Sequence, residues 1–361
     1  MFMSIQKRET SLDLMKCIAM FFVLSCHTTY YTYDILENDI SAYIGYFYRV
    51  FVSMSVPIFF FVNGFLLFRK EYELKKHVKK TIRLFLLSEL WWCINIVASL
   101  LIEHCEVSVR DLFDFFIAGR DGWTNHLWYM GALVCIYIFF PLLKETYDRN
   151  TKVFIYFFIV CIILTMGNQL INEMGTIVNN VFRDGTRLIT INWFKTYNPL
   201  REIHGFAFVY FCAGGIANLT FLKWEKLSEK KKVFVAVALI VISSFSLFGM
   251  GVLNTHIIGY IWDISWYGYN EIFTLVNVAC VYVICANWKK DIFIIRSISQ
   301  NTLGIYFLHI ILIFLCEKIV SGFVWIKVLP FNMLYSLFLL VVSWLICVVI
   351  RKIPIIRGLI Q

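Results

Sequence analysis

Charge is what this chain has least of: Asp, Glu, Lys and Arg make up 16% of its 361 residues, against 60% hydrophobic residues, and the mean hydropathy is +0.73. That balance excludes an ordinary soluble globule, and equally a disordered or collagen-like chain. Missing too is the alternation of apolar and polar residues over about ten positions that a transmembrane β-strand requires, so a barrel is not expected. No CxxC pair occurs, no Cys/His cluster has zinc-finger spacing, and the seven histidines form no HExxH. The 11 cysteines, such as Cys17, Cys93, Cys161, Cys212, Cys280 and Cys347, fall mostly inside apolar runs and read as small buried hydrophobes. Neither a disulfide framework nor a metal is expected. Internal repeats and low-complexity tracts are also lacking, which speaks against inverted-repeat transporter designs.

What the chain does have is apolar runs rich in Phe, Leu, Ile and Val, each long enough to cross about 30 Å of hydrocarbon as a helix. Ten candidate spans fall near 11–31, 47–68, 84–102, 126–143, 153–171, 202–219, 233–253, 268–287, 301–319 and 331–350. The expected fold is an all-α polytopic membrane bundle, one domain over residues 1–361. Basic residues collect in the even-numbered connections: Arg69 to Arg83, then Lys144, Arg149 and Lys152, then Lys223 to Lys232, then Lys289, Lys290 and Arg296, then Arg351, Lys352 and Arg357 at the end. With Lys7 and Arg8, this bias puts both termini in the cytoplasm by the positive-inside rule. The net charge of +9 is therefore an orientation signal, and a nucleic-acid partner is not needed to explain it. Glu9, Asp13 and Lys16 flank or enter the first span and no small-x-small site follows, so that span is expected to remain as a helix. The connections near 103–125, 172–201 and 254–267 are expected to be long, polar and external.

Polar side chains inside the apolar runs carry the functional signal, because a charge at the bilayer centre costs about 2.5–3.5 kcal/mol on insertion scales. Asp13, Lys16 and His27 share one helix face, within roughly 60° at about 100° per residue, while Lys16 and His27 stand about 16 Å apart along the axis. A long ligand touches both; equally, Asp13 can pair with Lys16 and His27 with a carbonyl in a packed interior. A histidine suits proton transfer. In the second span Pro57 interrupts the backbone ladder, and Asn63 with Gly64 loosens it, as in broken helices that line cavities. Lys76, Lys79, Lys80 and Arg83 form a basic stripe fit for phosphates or for anionic lipid headgroups. Glu89, two turns deeper, reads as a second buried acid. The aromatics Trp123, Trp193, Tyr197, Trp262, Trp266 and Tyr267 read either as an interfacial belt or as stacking surfaces for sugars.

Several of these segments resemble the membrane acyltransferase-3 family. Ser11-Leu12-Asp13-Leu14-Met15-Lys16-Cys17-Ile18-Ala19, with ten residues between Lys16 and His27, is similar to that family's opening helix, an Arg or Lys followed by His. Val56-Pro57-Ile58-Phe59-Phe60-Phe61-Val62-Asn63-Gly64-Phe65, Lys80-Thr81-Ile82-Arg83, His126-Leu127-Trp128-Tyr129 and Tyr306-Phe307-Leu308-His309 resemble later family motifs. Two positions depart from the pattern: Lys16, where Arg is commoner, gives up the bidentate fork for phosphate, and Asn63 stands where Ser is commoner. The chain ends at Gln361 without the extracellular hydrolase-like domain that many relatives carry, so the resemblance is to stand-alone members. It implies a multi-pass protein of a bacterial plasma membrane, an O-acetyltransferase carrying an acetyl group from cytoplasmic acetyl-CoA to a capsular, exopolysaccharide or other envelope glycan or lipid-linked sugar. The implied site has His27, Lys16 and Asp13 as catalytic group, Lys79, Lys80 and Arg83 on the phosphates of acyl-CoA, and His126, Trp128, Tyr129, Tyr306 and His309 around the acceptor. A proton-coupled transporter or flippase of a small polar or acylated solute, with Asp13, Lys16 and His27 as its relay, is the alternative.

Overall fold

The computed structural model describes residues 9–104, 108–181, 204–220 and 227–360. Lys7, Arg8, Trp193, Tyr197, Lys223 and Lys226, together with the first two residues of the expected sixth span, lie outside the described residues. The protein is all-α, with no strand among the described residues. The helices are α1 (Thr10–His27), α2 (Ile40–Val52), α3 (Ser55–Phe68), α4 (Leu74–Glu103), α5 (Val109–Ala118), α6 (Trp128–Arg149), α7 (Thr151–Ile162), α8 (Asn168–Val181), α9 (Gly205–Thr220), α10 (Glu229–Ile258), α11 (Ile264–Tyr267), α12 (Ile272–Ala286), α13 (Phe293–Val320) and α14 (Leu329–Lys352).

Eight spans among the described residues are long and apolar enough to cross a membrane, counting α2 with α3 and α7 with α8 as one each. A ninth is a bent pair, Ile264–Asn270 and Ile272–Ala286 meeting at 87°, where the sequence suggested a straight span near 268–287. The expected sixth span, near 202–219, is α9, only 16 residues long. The polar connection expected near 103–125 holds a helix instead: Ser108 and Asp111 form a capping box, and α5 exposes Val109, Phe113, Phe116 and Ile117. An exposed apolar face of this kind suits a helix lying in the membrane interface.

The second span breaks earlier than Pro57 suggests. Pro57 sits in the first turn of α3, and the chain turns at Ser53 and Met54, because proline offers no N–H to the carbonyl four residues back. Ser53 Oγ caps the end of α2 by donating to the Val50 carbonyl at 2.7 Å. Gly64 does not loosen α3; it lets α9 approach. A Cβ at Gly64 would lie 1.9 Å from the Phe211 carbonyl oxygen, and one at Gly214 would lie 2.1 Å from that of Phe61. The last turn of α3 is closed by the buried ammonium of Lys144, which donates to the Phe68 carbonyl at 2.9 Å and pairs with Asp148 at 2.7 Å.

Helix α3 is apolar all round and almost wholly buried, as an inner helix must be. Next to it lies α1, packed against α2, α3, α12, α13 and α14, so its polar face looks into protein. Lipid-facing residues dominate α4 and α10. Glu89 on α4 is exposed and is not the buried acid expected. Arg49, in contrast, is 3% exposed, and its guanidinium donates to both Asp263 oxygens at 2.7 Å and to Ser265 at 2.7 Å. It stacks 4.2 Å over the Tyr33 ring and ties α2 to α11.

The close approach of α3 and α9 makes Gly64→Ala costly. A methyl there forces the helices apart, and overpacking of this kind costs about 1–3 kcal/mol. Gly249→Ala, whose Cβ meets nothing within 4 Å, serves as control. Thermal unfolding of the detergent-purified variants should show a lower Tm for Gly64→Ala alone; equal melting of both would contradict the packing argument.

Candidate active site

Thr28 fixes the end of α1: its N–H and hydroxyl both return to the Leu24 carbonyl at 3.0 Å, and the same hydroxyl meets Ser336 Oγ on α14 at 2.7 Å. This anchor holds His27, the last residue of α1, against two other imidazoles. The His27 ring centroid is 5.0 Å from that of His309 on α13 and 6.5 Å from that of His126, in the turn before α6; His126 and His309 are 5.2 Å apart. His27 keeps an exposed surface, whereas His126 and His309 are 3% and 0% exposed. His309 Nδ1 donates to the Tyr306 carbonyl at 2.5 Å, so its Nε2 carries the lone pair, and that nitrogen is buried without a partner. Both ring nitrogens of His126 are buried and unpartnered as well. Leaving such groups unpaired costs about 1–3 kcal/mol each, a penalty that a bound hydroxyl or carbonyl would relieve. The three rings are not arranged as a metal site; among the described residues no three His, Cys, Asp or Glu side chains are placed to hold an ion.

A cavity of about 210 Å³ lies beside this cluster, lined by Lys16, Asn63, Lys80, Tyr129, Tyr137 and Tyr306 among others; Tyr306 separates it from His126 and His309, with ring centroids 5.4 and 5.8 Å away. Its polar wall is a directed chain of hydrogen bonds. Lys80 Nζ donates to Tyr137 Oη (3.3 Å), Tyr137 donates to Asn63 Oδ1 (3.3 Å), and Asn63 Nδ2 donates to Tyr129 Oη (3.4 Å). A further bond from Asn63 Nδ2 to the Phe59 carbonyl at 2.9 Å settles which way the amide faces. An ammonium can only donate, so Lys80 sets the direction of every bond that follows, and the Tyr129 hydroxyl is left with its proton to offer. Tyr306 spends its own proton on the His126 carbonyl.

Lys80 also lines a second cavity of about 550 Å³, at the junction of α3 and α4, together with Lys70, Glu71, Glu73, Lys76 and His77. Lys76 pairs with Glu73 at 2.5 Å. Lys70 thus lines the wider cavity, Lys16 the narrower one, and Lys80 both. His77 closes the wall between them, its Nε2 2.7 Å from the Tyr137 carbonyl.

Across 344 residues, from 9 to 352, the chain matches a family model described as an acyltransferase domain of the acyltransferase-3 type. The protein belongs to the acyltransferase-3 family. It is therefore a multi-pass membrane acyltransferase. Searches of curated proteins and of solved structures found no match.

Within this acyltransferase, the expected site residues divide. His27, His126, Tyr129, Tyr306 and His309 come together, and Lys16 and Lys80 line the cavity that Tyr129 and Tyr306 also line. Asp13 is buried farther back on α1, where Ser299 Oγ donates to it at 2.5 Å. Lys79 and Arg83 are exposed and line neither of the two cavities. Trp128 turns away from its neighbour Tyr129 and packs against His204, Phe206, Trp266 and Tyr269. Trp123 belongs neither to a belt nor to a ligand surface: it is buried and stacked on Phe314 at 4.1 Å. Sequence reasoning missed Tyr137, Lys70 as more than an orientation signal, and the Arg49–Asp263 pair, although an arginine inside the run 47–68 was a visible sign of the last.

Because Tyr137 is the middle of the directed chain, Tyr137→Phe breaks two of its bonds while keeping the ring. Acyl transfer by the folded variant should fall by about tenfold or more, the scale of one buried hydrogen bond of about 1–3 kcal/mol. An unchanged kcat would show that the chain has no part in orienting Tyr129.

Proposed function

We propose that this acyltransferase moves an acetyl group from cytoplasmic acetyl-CoA to a hydroxyl of a capsular polysaccharide, an exopolysaccharide or another envelope glycan, including lipid-linked sugars. The observation that carries the reading is the sharing of Lys80 by a wide lysine-bearing mouth and a narrow cavity whose wall includes Tyr306, the ring packed against His126 and His309. Coenzyme A has that shape: a phosphate-rich head and a thin arm with the thioester at its tip. The phosphates would meet Lys70, Lys76 and Lys80, and Lys16 would stand beside the arm, with Asp13 positioning it. About 16 Å of helix α1 separates Lys16 from His27, a span the arm can bridge.

In this scheme His27 takes the proton of the acceptor hydroxyl as its oxygen bonds to the thioester carbonyl carbon. The Tyr129 hydroxyl donates to the oxyanion that forms. The C–S bond then breaks, and the sulfur leaves as CoA thiol with the proton returned by His27. His309 and His126, each with an unpartnered nitrogen, would hold the acceptor hydroxyl against His27. A two-step route through an acyl-His27 uses the same groups; labelled acetyl retained on acid-quenched protein before acceptor is added distinguishes it.

Thiol release from acetyl-CoA by protein in liposomes supplied with isolated envelope glycan is the test. His27→Ala should lose about 10²–10⁴-fold in turnover while remaining inserted and monodisperse. Normal release by that variant would reject the assignment, and solute movement without CoA release would favour a transporter. Lys80→Met should mainly raise the KM for acetyl-CoA, by about tenfold. Arg83→Ala, at a residue that lines neither cavity, should change it far less; the reverse order would relocate the phosphate site.

A further inference from the structure

A third cavity, of about 250 Å³, is lined by Thr165, Gln169, His204, Trp266, Tyr267 and Asn270 and other residues. It lies at the far end of the bundle from the lysine mouth. Trp128, which contacts its walls, and Phe140, which lines the mouth, are twelve residues apart on α6, about 18 Å. Two irregularities of the backbone create it. A π-helical turn over Ile163–Gly167 joins α7 to α8 and carries Thr165, and the 87° bend between Ile264–Asn270 and Ile272–Ala286 carries Asn270. Such interruptions at membrane depth line cavities and recur at functional sites.

Its chemistry is mixed in a particular way. Trp266 and Tyr267 are 50% and 44% exposed; Tyr267 is stacked on Trp262 at 5.4 Å, so the open flat surface is chiefly the Trp266 indole. Carboxamides stand beside them. Gln169 donates to Glu173 at 2.7 Å, which fixes the amide and leaves its carbonyl oxygen to accept; Asn270 Oδ1 is buried without a partner. Flat aromatic surface for C–H faces, with amides for hydroxyls at the edge, fits a sugar ring; a fatty chain needs no amides, and a cage for a quaternary ammonium needs none either. The volume is below the roughly 300–1,000 Å³ of pockets for drug-sized ligands, which suits one ring.

Two contacts place residues adjacent in the chain to Tyr129 and His27 against this cavity's surroundings. Trp128, packed 5.5 Å from Trp266 and 4.8 Å from His204, directly precedes Tyr129 in the chain. Cys26, which directly precedes His27, meets Ser265 of α11 at 3.9 Å. We propose that this cavity binds one pyranose ring of the acceptor, beside the ring whose hydroxyl reaches His27. The role as acceptor subsite rests on the acyl-transfer reading; the binding of a sugar does not.

The test uses the full chain in nanodiscs, without acyl-CoA, and saturation-transfer NMR with methyl glucoside, methyl galactoside, methyl rhamnoside and methyl N-acetylglucosaminide. At least one should bind, about tenfold or more weaker in Trp266→Ala and in Gln169→Ala, with affinity partly restored in Trp266→Phe and unchanged in Gly249→Ala. No binding by the wild type, equal binding by folded Trp266→Ala, or full displacement by choline overturns the proposal. Sugar binding with no CoA release from acetyl-CoA would instead remove the acyl-transfer reading and leave the sugar site standing.

Discussion

Hydrocarbon supplies no hydrogen bonds, so every polar group within this bundle must find a partner in the protein or pay several kcal/mol for having none. That constraint orders the rest of the structure. Arg49 is folded onto Asp263, Lys144 onto a helix end, and Ser and Thr hydroxyls onto carbonyls one turn back. Among the buried polar atoms left without a partner, the nitrogens of His126 and His309 are set apart by their place around His27. In the proposed reaction, the acceptor hydroxyl would supply partners for those nitrogens.

The same constraint explains why a single lysine matters so much. Tyr137, Asn63 and Tyr129 follow Lys80 in one directed chain of hydrogen bonds, so in the proposed reaction the cation would bear on the thioester through the Tyr129 O–H. Binding the donor's phosphates at Lys80 would therefore touch the orienting chain directly. Recognition of the head and preparation of the reacting end become one piece of structure.

Much of this was legible in the sequence, and what was not has physical causes. Ten apolar runs gave the helices, since span length is set by the bilayer, and the helical repeat put Lys16 and His27 on one face. The meeting of His27 with His126 and His309 was not readable, because it depends on packing among α1, α6 and α13. A stripe such as Lys76 to Arg83 tells which residues share a face, yet not which edge of it turns inward; that edge proved to be Lys80. Adjacent residues on a helix point about 100° apart, which is why Tyr129 lines one cavity while Trp128 packs by another. Pro57 announced a break but not its place four residues earlier, and Gly64 read as looseness where it allows contact.

The claim that a thioester arrives from the lysine mouth and stops at the histidine cluster is tested most directly by a cryo-EM structure of the full chain with an unreactive acetyl-CoA thioether. The account predicts the nucleotide phosphates against Lys70 and Lys80, the arm through the cavity beside Lys16 and Asn63, and the carbonyl within hydrogen-bond reach of His27 and Tyr129. An analogue bound outside that passage, or one whose carbonyl rests away from the three histidines, would contradict it.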